Sequence, residues 1–311
     1  MTSVPIEAGT PAQSVDAPAT GWVTSQDGTR IGYHQLGSGP GIILVHGAME
    51  SGLSHLELAR QLADQHTVYL PDRRGRGLSG PFGSGYALHS EVEDLKALLV
   101  ATGTRDVFGV SAGGLIALQA ALELPAIERV AAFEPALSID GSAPTAFLVD
   151  FDRQIAAGRT AAALVTGMKA AQMGPPIFNR IPSVVIEQLT RLMMAAEDRK
   201  AGPGDVTMRK LAPTLHYDFQ LVAETEPSVR SFGAIRPAVL LLGASQSPAY
   251  LKLALDTVAG LLPGARRVEF AGFDHGASGN RNRGGHPVQV AHELREFFAQ
   301  PGPSHHEVPV R

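Results

Sequence analysis

The sequence predicts an α/β protein built on a mostly parallel, twisted sheet with helices on both faces. Short, all-apolar runs recur along the chain, as is typical of strands buried on both faces of a parallel sheet. Helical patterns separate these runs, and strands that alternate with helices require right-handed crossovers. The chain has 311 residues, of which 44% are hydrophobic and 18% charged, so it can bury one large core.

The apolar runs predict the elements in chain order. Asp27 and Gly28 tolerate the positive φ angles of a tight turn, so the first two strands are expected to form an antiparallel hairpin. The predicted strands are residues 21–25, 30–35, 41–45, 66–70, 105–110, 129–133, 238–243 and 266–270. The predicted helices between them are residues 54–65, 88–101, 113–124, 247–262 and 286–299.

The alternation stops between about residues 136 and 236, where several helical patterns occur without a convincing strand. The helices expected there are residues 144–156, 159–172, 183–196 and 207–223. This segment is therefore interpreted as a helical cap inserted into a core of residues 21–135 and 237–300. Residues 1–20 and 301–311 are interpreted as a disordered N-terminal tail and a flexible C-terminal tail.

Composition excludes several classes of partner and chemistry. The net charge is −4 and the basic residues are scattered, so no basic stripe is available for a nucleic acid. No apolar run approaches the roughly 18 residues of a membrane span, and the first residues do not resemble a signal peptide. The chain has no cysteine, so disulfides and thiolate metal sites are excluded. We expect a cytoplasmic protein without metal or cofactor; its oligomeric state stays open.

A nucleophile is indicated directly after the predicted strand 105–110. Gly109, Ser111 and Gly113 form a G-x-S-x-G pattern that leads straight into a helix. In such an elbow the serine lies on a strained turn, so the residues two before and two after it must be very small. The turn exposes Oγ, and the helix N-terminus behind it favours developing negative charge. The alternative is a glycine-rich turn with a helix-capping serine, but the flanking strand and helix favour the nucleophile.

A second signal follows the predicted strand 41–45, where His46 and Gly47 begin a short loop. The pattern is typical of a loop that supplies half of an oxyanion hole. We expect the backbone N–H groups of Ala48 and Ala112 to be the donors for a tetrahedral oxyanion. His46 is interpreted as structural, with its imidazole holding the loop.

These motifs resemble those of the α/β-hydrolase superfamily, in the branch with a helical cap between the sixth and seventh strands. The resemblance spans about residues 21–299 and implies a triad in the order serine, acid, histidine, with the histidine after the last strand. His275 occupies that position, after the predicted strand 266–270. The alternative is an ordinary histidine in a surface loop.

The acid departs from the usual pattern of the superfamily. Most members carry it after the seventh strand, yet no carboxylate follows strand 238–243 until Asp256, which lies inside a predicted helix. Some members, among them dehalogenases and zearalenone-type lactonases, use the end of the sixth strand, where this chain has Glu134. Glu134 is therefore assigned to orient His275. The alternative is a Ser–His dyad with a structural Glu134; Asp274, beside the histidine, would point the wrong way.

Methionine is concentrated near the expected pocket. Flexible thioethers suit a pocket for varied apolar groups, although methionines also commonly fill helix–helix contacts. The pocket candidates are Met49, Met168, Met173, Met193, Met194 and Met208.

The sequence thus predicts a carboxylic ester hydrolase, an esterase or lactonase, that acts on a mainly apolar small molecule through an acyl-enzyme. A thioesterase, an amidase or a C–C bond hydrolase would use the same triad, because the cap selects the substrate. A ligand-binding receptor with little turnover is the alternative from another functional class. The vacant acid position after the seventh strand is the one feature that favours it.

Overall fold

A computed structural model describes residues 17–174, 180–202 and 204–300. One eight-stranded sheet runs through it in the order β1-β2-β4-β3-β5-β6-β7-β8. The first two strands form the antiparallel hairpin, β2 also pairs antiparallel with β4, and every other neighbouring pair is parallel. The strands are β1 (Ala19–Thr24), β2 (Arg30–Leu36), β3 (Gly41–Val45), β4 (Thr67–Pro71), β5 (Asp106–Val110), β6 (Arg129–Phe133), β7 (Ala238–Ala244) and β8 (Arg266–Phe270).

Helices cover both faces of this sheet. The described helices are α1 (Leu56–Leu62), α2 (Leu88–Thr102), α3 (Ala112–Glu123), α4 (Leu148–Ala156), α5 (Thr160–Ala170), α6 (Ser183–Lys200), α7 (Met208–Leu211), α8 (Leu215–Thr225), α9 (Ala249–Leu261) and α10 (Pro287–Phe298). The side chains of β3 are apolar on both faces of the sheet, and each face packs against a different layer of helices. Ile43 and Val45 pack into the core with α2, α3 and α9, whereas Ile42 and Leu44 pack into the core with α1 and α10. The all-apolar strand pattern and the predicted α/β-hydrolase fold class are thereby confirmed.

Helices α4 to α8 are inserted between β6 and β7, and the described residues between these strands form no β-strand. The inserted helices share an apolar cluster of their own around Phe151, Ala163 and Phe219. Ala48 and Met49, from the loop after β3, pack against this cluster. The inserted helices are therefore seated directly on the end of the sheet where β3 ends.

Several boundaries differ from those predicted. Strand β1 begins at Ala19, so the predicted N-terminal tail of residues 1–20 is two residues too long; residues 1–16 and the predicted tail 301–311 lie outside the described residues. The predicted helix 207–223 is two helices, α7 and α8, joined by a 3₁₀ turn over Ala212–Thr214. Pro213 in that turn has no N–H to continue an α-helical ladder. No helix of the described part of the chain is long and apolar enough to cross a membrane.

Candidate active site

Ser111 lies on the turn between β5 and α3 with φ 55° and ψ −118°, a region that residues other than glycine rarely occupy. Three hydrogen bonds fix its backbone. Its N–H donates to the carbonyl oxygen of Phe133 at 2.9 Å, and its own carbonyl oxygen accepts from Leu115 and Ala136, each at 3.0 Å. These bonds hold the strained turn in place, and the serine side chain lies on the wall of a cavity.

The glycines around the serine are required by close backbone contacts. A Cβ built on Gly109 would lie 2.1 Å from the carbonyl oxygen of Gly113. A Cβ on Gly113 would lie 2.2 Å from the carbonyl oxygen of Val45. Both distances are far inside van der Waals contact, so the G-x-S-x-G spacing here reflects the approach of α3 to two strands.

Sheet register brings Glu134 to the same place. Val110 of β5 is paired with Phe133 of β6, so Ser111 and Glu134 are the next residues of two neighbouring strands. The imidazole of His275, in the loop after β8, meets the Glu134 carboxylate with Nδ1 2.6 Å from Oε2. An ionised carboxylate only accepts, so Nδ1 carries the proton and Nε2 is left as the acceptor. His275 lines the same cavity as Ser111.

The Glu134 carboxylate is completely buried, and its oxygens are bonded by the last residue of β7 and by the loop that follows β7. Oε1 accepts from the N–H of Ala244 at 2.8 Å, and Oε2 accepts from Ser247 Oγ at 2.8 Å as well as from His275. The segment at the end of β7 has no carboxylate of its own, and it donates hydrogen bonds to the carboxylate of Glu134 at the end of β6. Sequence reasoning did not assign roles to Ala244 and Ser247; the lack of a carboxylate in their loop was the available signal.

The two other carboxylates considered as acids are engaged elsewhere. Asp256 forms an ion pair with Arg267. Asp274 accepts from the N–H of Gly276 at 2.9 Å, within its own turn. Of the described carboxylates, Glu134 is the one that is bonded to His275 Nδ1.

The loop after β3 lies beside the serine. Ala48 and Ala112 both line the cavity, and the N–H of Ala112 is the first of α3 and so has no acceptor within the helix. His46 is fully buried, with Nδ1 2.8 Å from the carbonyl oxygen of Gly47 and Nε2 accepting from the N–H of Arg73 at 3.1 Å. Burial and the neighbouring charges of Arg76 and Arg73 lower the pKa of His46 to about 3. His46 is thus a neutral ring that joins two loops.

A cavity of about 520 Å³ lies between the serine turn and the inserted helices. Of the predicted pocket methionines, Met49, Met168, Met173, Met193 and Met208 line it. The prediction for Met194 is wrong, because this residue is absent from the lining although its side chain is buried. Met194 is the next residue of α6 and is rotated about 100° from Met193 around the helix axis.

Known proteins share this fold and parts of this sequence. The family described as "Alpha/beta hydrolase family" matches residues 42–300. The chain belongs to the alpha/beta hydrolase family. It is similar to a solved alpha/beta hydrolase from Sphaerobacter thermophilus DSM 20745, with a TM-score of 0.72 and 32% identity, over 90% of this chain and 100% of that chain.

The relatives of this alpha/beta hydrolase include esterases. It resembles the fold of a thermophilic esterase from Thermogutta terrifontis, with a TM-score of 0.66 and 17% identity over 90% of this chain and 98% of that chain. It is also 40% identical over 92 residues to a pimeloyl-[acyl-carrier protein] methyl ester esterase from Xylella fastidiosa (strain M12). That match spans 29% of this chain and 34% of the esterase.

Sequence reasoning missed Glu50, a carboxylate on the cavity wall of the alpha/beta hydrolase. Its Oε2 accepts from the N–H of Gly47 at 2.8 Å and lies 2.9 Å from His55 Nε2. The other nitrogen of His55, Nδ1, donates to the carbonyl oxygen of Ser278 at 2.9 Å, in the loop that carries His275. Glu50 and His55 therefore connect the loop after β3 with the histidine loop.

Both ring nitrogens of His55 face oxygen acceptors, so the ring can donate from both only as an imidazolium. Burial acts to raise the pKa of Glu50, but the charge and hydrogen bond of His55 outweigh it and lower that pKa to about 2. Burial likewise acts to lower the pKa of His55, yet the Glu50 carboxylate raises it above its ordinary value. A polar residue five positions before a histidine, near a predicted oxyanion loop, gave no recognisable sequence signal.

A buried ion network joins the core to the inserted helices. Asp218 of α8 accepts from Arg73 Nη1 at 2.7 Å and from Arg76 Nη2 at 2.6 Å, and Arg73 also bonds Glu91 of α2. All four side chains are at most 3% exposed. No role was predicted for the arginine-rich loop after β4, because its partner on α8 is distant in the sequence.

Proposed function

We propose that this alpha/beta hydrolase is a serine hydrolase that cleaves a carboxylic ester or lactone of a mainly apolar small molecule through an acyl-enzyme intermediate. The observation that carries the proposal is the hydrogen bond of His275 to the buried Glu134, beside a strained Ser111 on the wall of the same cavity. The esterases among its relatives agree with this reaction class.

In the proposed reaction, Ser111 Oγ attacks the substrate carbonyl while His275 Nε2 takes its proton. Glu134 fixes the imidazole tautomer and balances the charge of the imidazolium. The N–H groups of Ala48 and Ala112 stabilise the tetrahedral oxyanion. His275 then returns the proton to the leaving alcohol, and a water molecule repeats the sequence to release the acid.

The proposed preference for apolar substrates is supported by the cavity wall. Its lining is mostly aliphatic and methionine side chains from the inserted helices, such as Leu164, Ile186, Met168 and Val222. An apolar group of a substrate would lose its water contacts there, which favours binding by roughly 25 cal/mol per Å² of apolar surface. The inserted helices would thus act as the cap that selects the substrate.

The test is covalent labelling together with turnover. Wild-type protein is expected to react with a fluorophosphonate at Ser111 and to release p-nitrophenol from p-nitrophenyl esters of increasing chain length. Ser111→Ala should lose both properties while unfolding at the same temperature, because the hydroxyl contributes no core packing. Ser245→Ala, a serine outside the cavity lining, is the control and should resemble the wild type. Retention of most activity in Ser111→Ala contradicts the mechanism.

The same experiment separates the alternatives. A receptor-like protein would bind esters with little or no release of p-nitrophenol. The feature that favours a receptor is the vacant acid position after β7. The hydrogen bonds from Ala244 and Ser247 to Glu134 support instead an acid that reaches the histidine from the end of β6. A thioesterase, amidase or C–C bond hydrolase would be recognised by a higher kcat/KM for those substrates than for matched esters.

A further inference from the structure

Glu50 differs from the other carboxylate on the cavity wall. Both oxygens of Asp218 are occupied by arginine side chains. Both hydrogen bonds of Glu50 end on Oε2, and within the described part of the chain Oε1 accepts none. About 20% of the Glu50 side-chain surface is exposed, and Glu50 lines the cavity. A charged acceptor oxygen is therefore available in a mainly apolar space.

Glu50 also lies next to the proposed nucleophile. A Cβ built on Gly47 would be 3.1 Å from Ser111 Cβ and 3.2 Å from Glu50 Oε2, so the two side chains flank Gly47. A substrate carbonyl attacked by Ser111 would therefore bring the atoms within two or three bonds of its carbon close to Glu50. A free acceptor in a low-dielectric site is costly when it faces only apolar groups, since buried polar groups require partners.

We propose that Glu50 is a specificity-determining residue that accepts a hydrogen bond from a hydroxyl or N–H group of the substrate, close to its scissile carbonyl. The proposal rests on the proposed ester hydrolysis and narrows its substrates to uncharged, donor-bearing esters or lactones. The ion pair with His55 fits this role, because it keeps Glu50 ionised and fixes the direction of its free oxygen. A hydrogen bond to a charged acceptor corresponds to on the order of ten- to hundredfold in kcat/KM.

The test is a cycle of substrate and protein changes. The substrates are methyl 2-hydroxyhexanoate and methyl 3-hydroxyhexanoate, each paired with its methoxy analogue, which has the same oxygen without the donor. The variant is Glu50→Gln. Its amide oxygen replaces Oε2 towards Gly47 and His55, so its NH₂ replaces the free acceptor with a donor. Glu224→Gln is the matched control, because both oxygens of Glu224 are hydrogen-bonded and the residue lies outside the cavity lining.

We expect the wild type to prefer at least one hydroxy ester over its methoxy analogue by about ten- to hundredfold in kcat/KM. Glu50→Gln should reduce that ratio to about one, whereas Glu224→Gln should retain it. A ratio near one in the wild type overturns the proposal. Equal losses for both members of a pair in Glu50→Gln also overturn it, since they would indicate that Glu50 only positions the loop after β3.

Binding to an inactive variant keeps this inference separate from the proposed reaction. If the wild type hydrolyses none of the esters, the proposed function fails. The affinities of the same ester pairs for Ser111→Ala, with and without Glu50→Gln, are then measured by calorimetry. A preference for the hydroxy ester that disappears with Glu50→Gln supports the role of Glu50; equal affinities contradict it.

Discussion

Glu134→Gln is the change that most directly tests the proposed triad. The amide has nearly the shape of the carboxylate but only one acceptor oxygen. If this oxygen keeps the N–H of Ala244, the NH₂ faces His275 Nδ1 and Ser247. The imidazole must then accept at Nδ1 and carry its proton on Nε2, so it cannot take the proton of Ser111.

The opposite orientation of the amide is also unfavourable. The oxygen would then accept from His275 and Ser247, but the NH₂ would face the N–H of Ala244. Two donors facing each other in a site with no solvent exposure cost about 1–3 kcal/mol. This penalty favours the first orientation, which holds the wrong tautomer. By analogy with other triads, we expect kcat to fall by on the order of 10³- to 10⁴-fold, which is about 4–5.5 kcal/mol of transition-state stabilisation.

The assay is steady-state hydrolysis of p-nitrophenyl esters, with kcat and KM measured separately. KM is expected to change little, because Glu134 does not line the cavity. Asp256→Asn and Asp274→Asn are matched controls, since both residues bond other groups, and each should remain near the wild-type rate. A decrease of less than about tenfold in Glu134→Gln would refute the triad and favour a Ser–His dyad.

Three further changes test the surroundings of the site. Asp218→Asn should lower the free energy of unfolding by about 3 kcal/mol in urea titrations, because it leaves Arg76 buried without a counter-charge and Arg73 paired with Glu91 alone. The exposed pair of Asp150 and Arg153 is the control, and Asp150→Asn should change the free energy of unfolding by under about 0.5 kcal/mol. The folded-state pKa of His46 is about 3, so between the ordinary value of 6.5 and about 3 the unfolded chain binds a proton that the folded chain does not. Stability should therefore fall as the pH falls from about 6.5 to about 3, by up to about 1.4 kcal/mol per pH unit from this group. An equally steep pH dependence in His46→Gln would contradict this. Methyl octanoate should exceed the monomethyl ester of suberic acid in kcat/KM by about a hundredfold or more at pH 7, because no lysine or arginine among the described residues lines the cavity to pair with the free carboxylate of the latter. Comparable values would indicate a cationic subsite.

The elements that could be predicted are those with a local physical cause. The all-apolar run of β3 requires burial on both faces, and that alone indicates a parallel sheet between helical layers. The close approach of Gly109 and Gly113 to neighbouring backbone leaves no room for a side chain, so the spacing around Ser111 could be recognised. Helix ends were predicted less well, because a turn such as Ala212–Thr214 continues the periodicity of the helices beside it.

Contacts between distant segments could not be predicted in the same way. The pairing of Arg73 with Asp218 joins residues far apart in the chain, and neither residue type indicates its partner. Glu50 and His55 are near in sequence, but their connection to the histidine loop depends on how α1 packs against that loop. The orientation of Met194 away from the cavity depends on the rotation of α6 about its axis, which the methionine count does not specify.

The sequence by itself determined the sheet, the strained position of Ser111 and the place of His275 after the last strand, because periodicity and glycine spacing follow from backbone sterics. The absence of a carboxylate after β7, together with the resemblance to members that use the end of the sixth strand, favoured Glu134 as the acid. Only the tertiary structure decided that this carboxylate reaches the imidazole. The register of Val110 with Phe133 and the donors from Ala244 and Ser247 fix its direction, and such distances are set by the packing of separate strands.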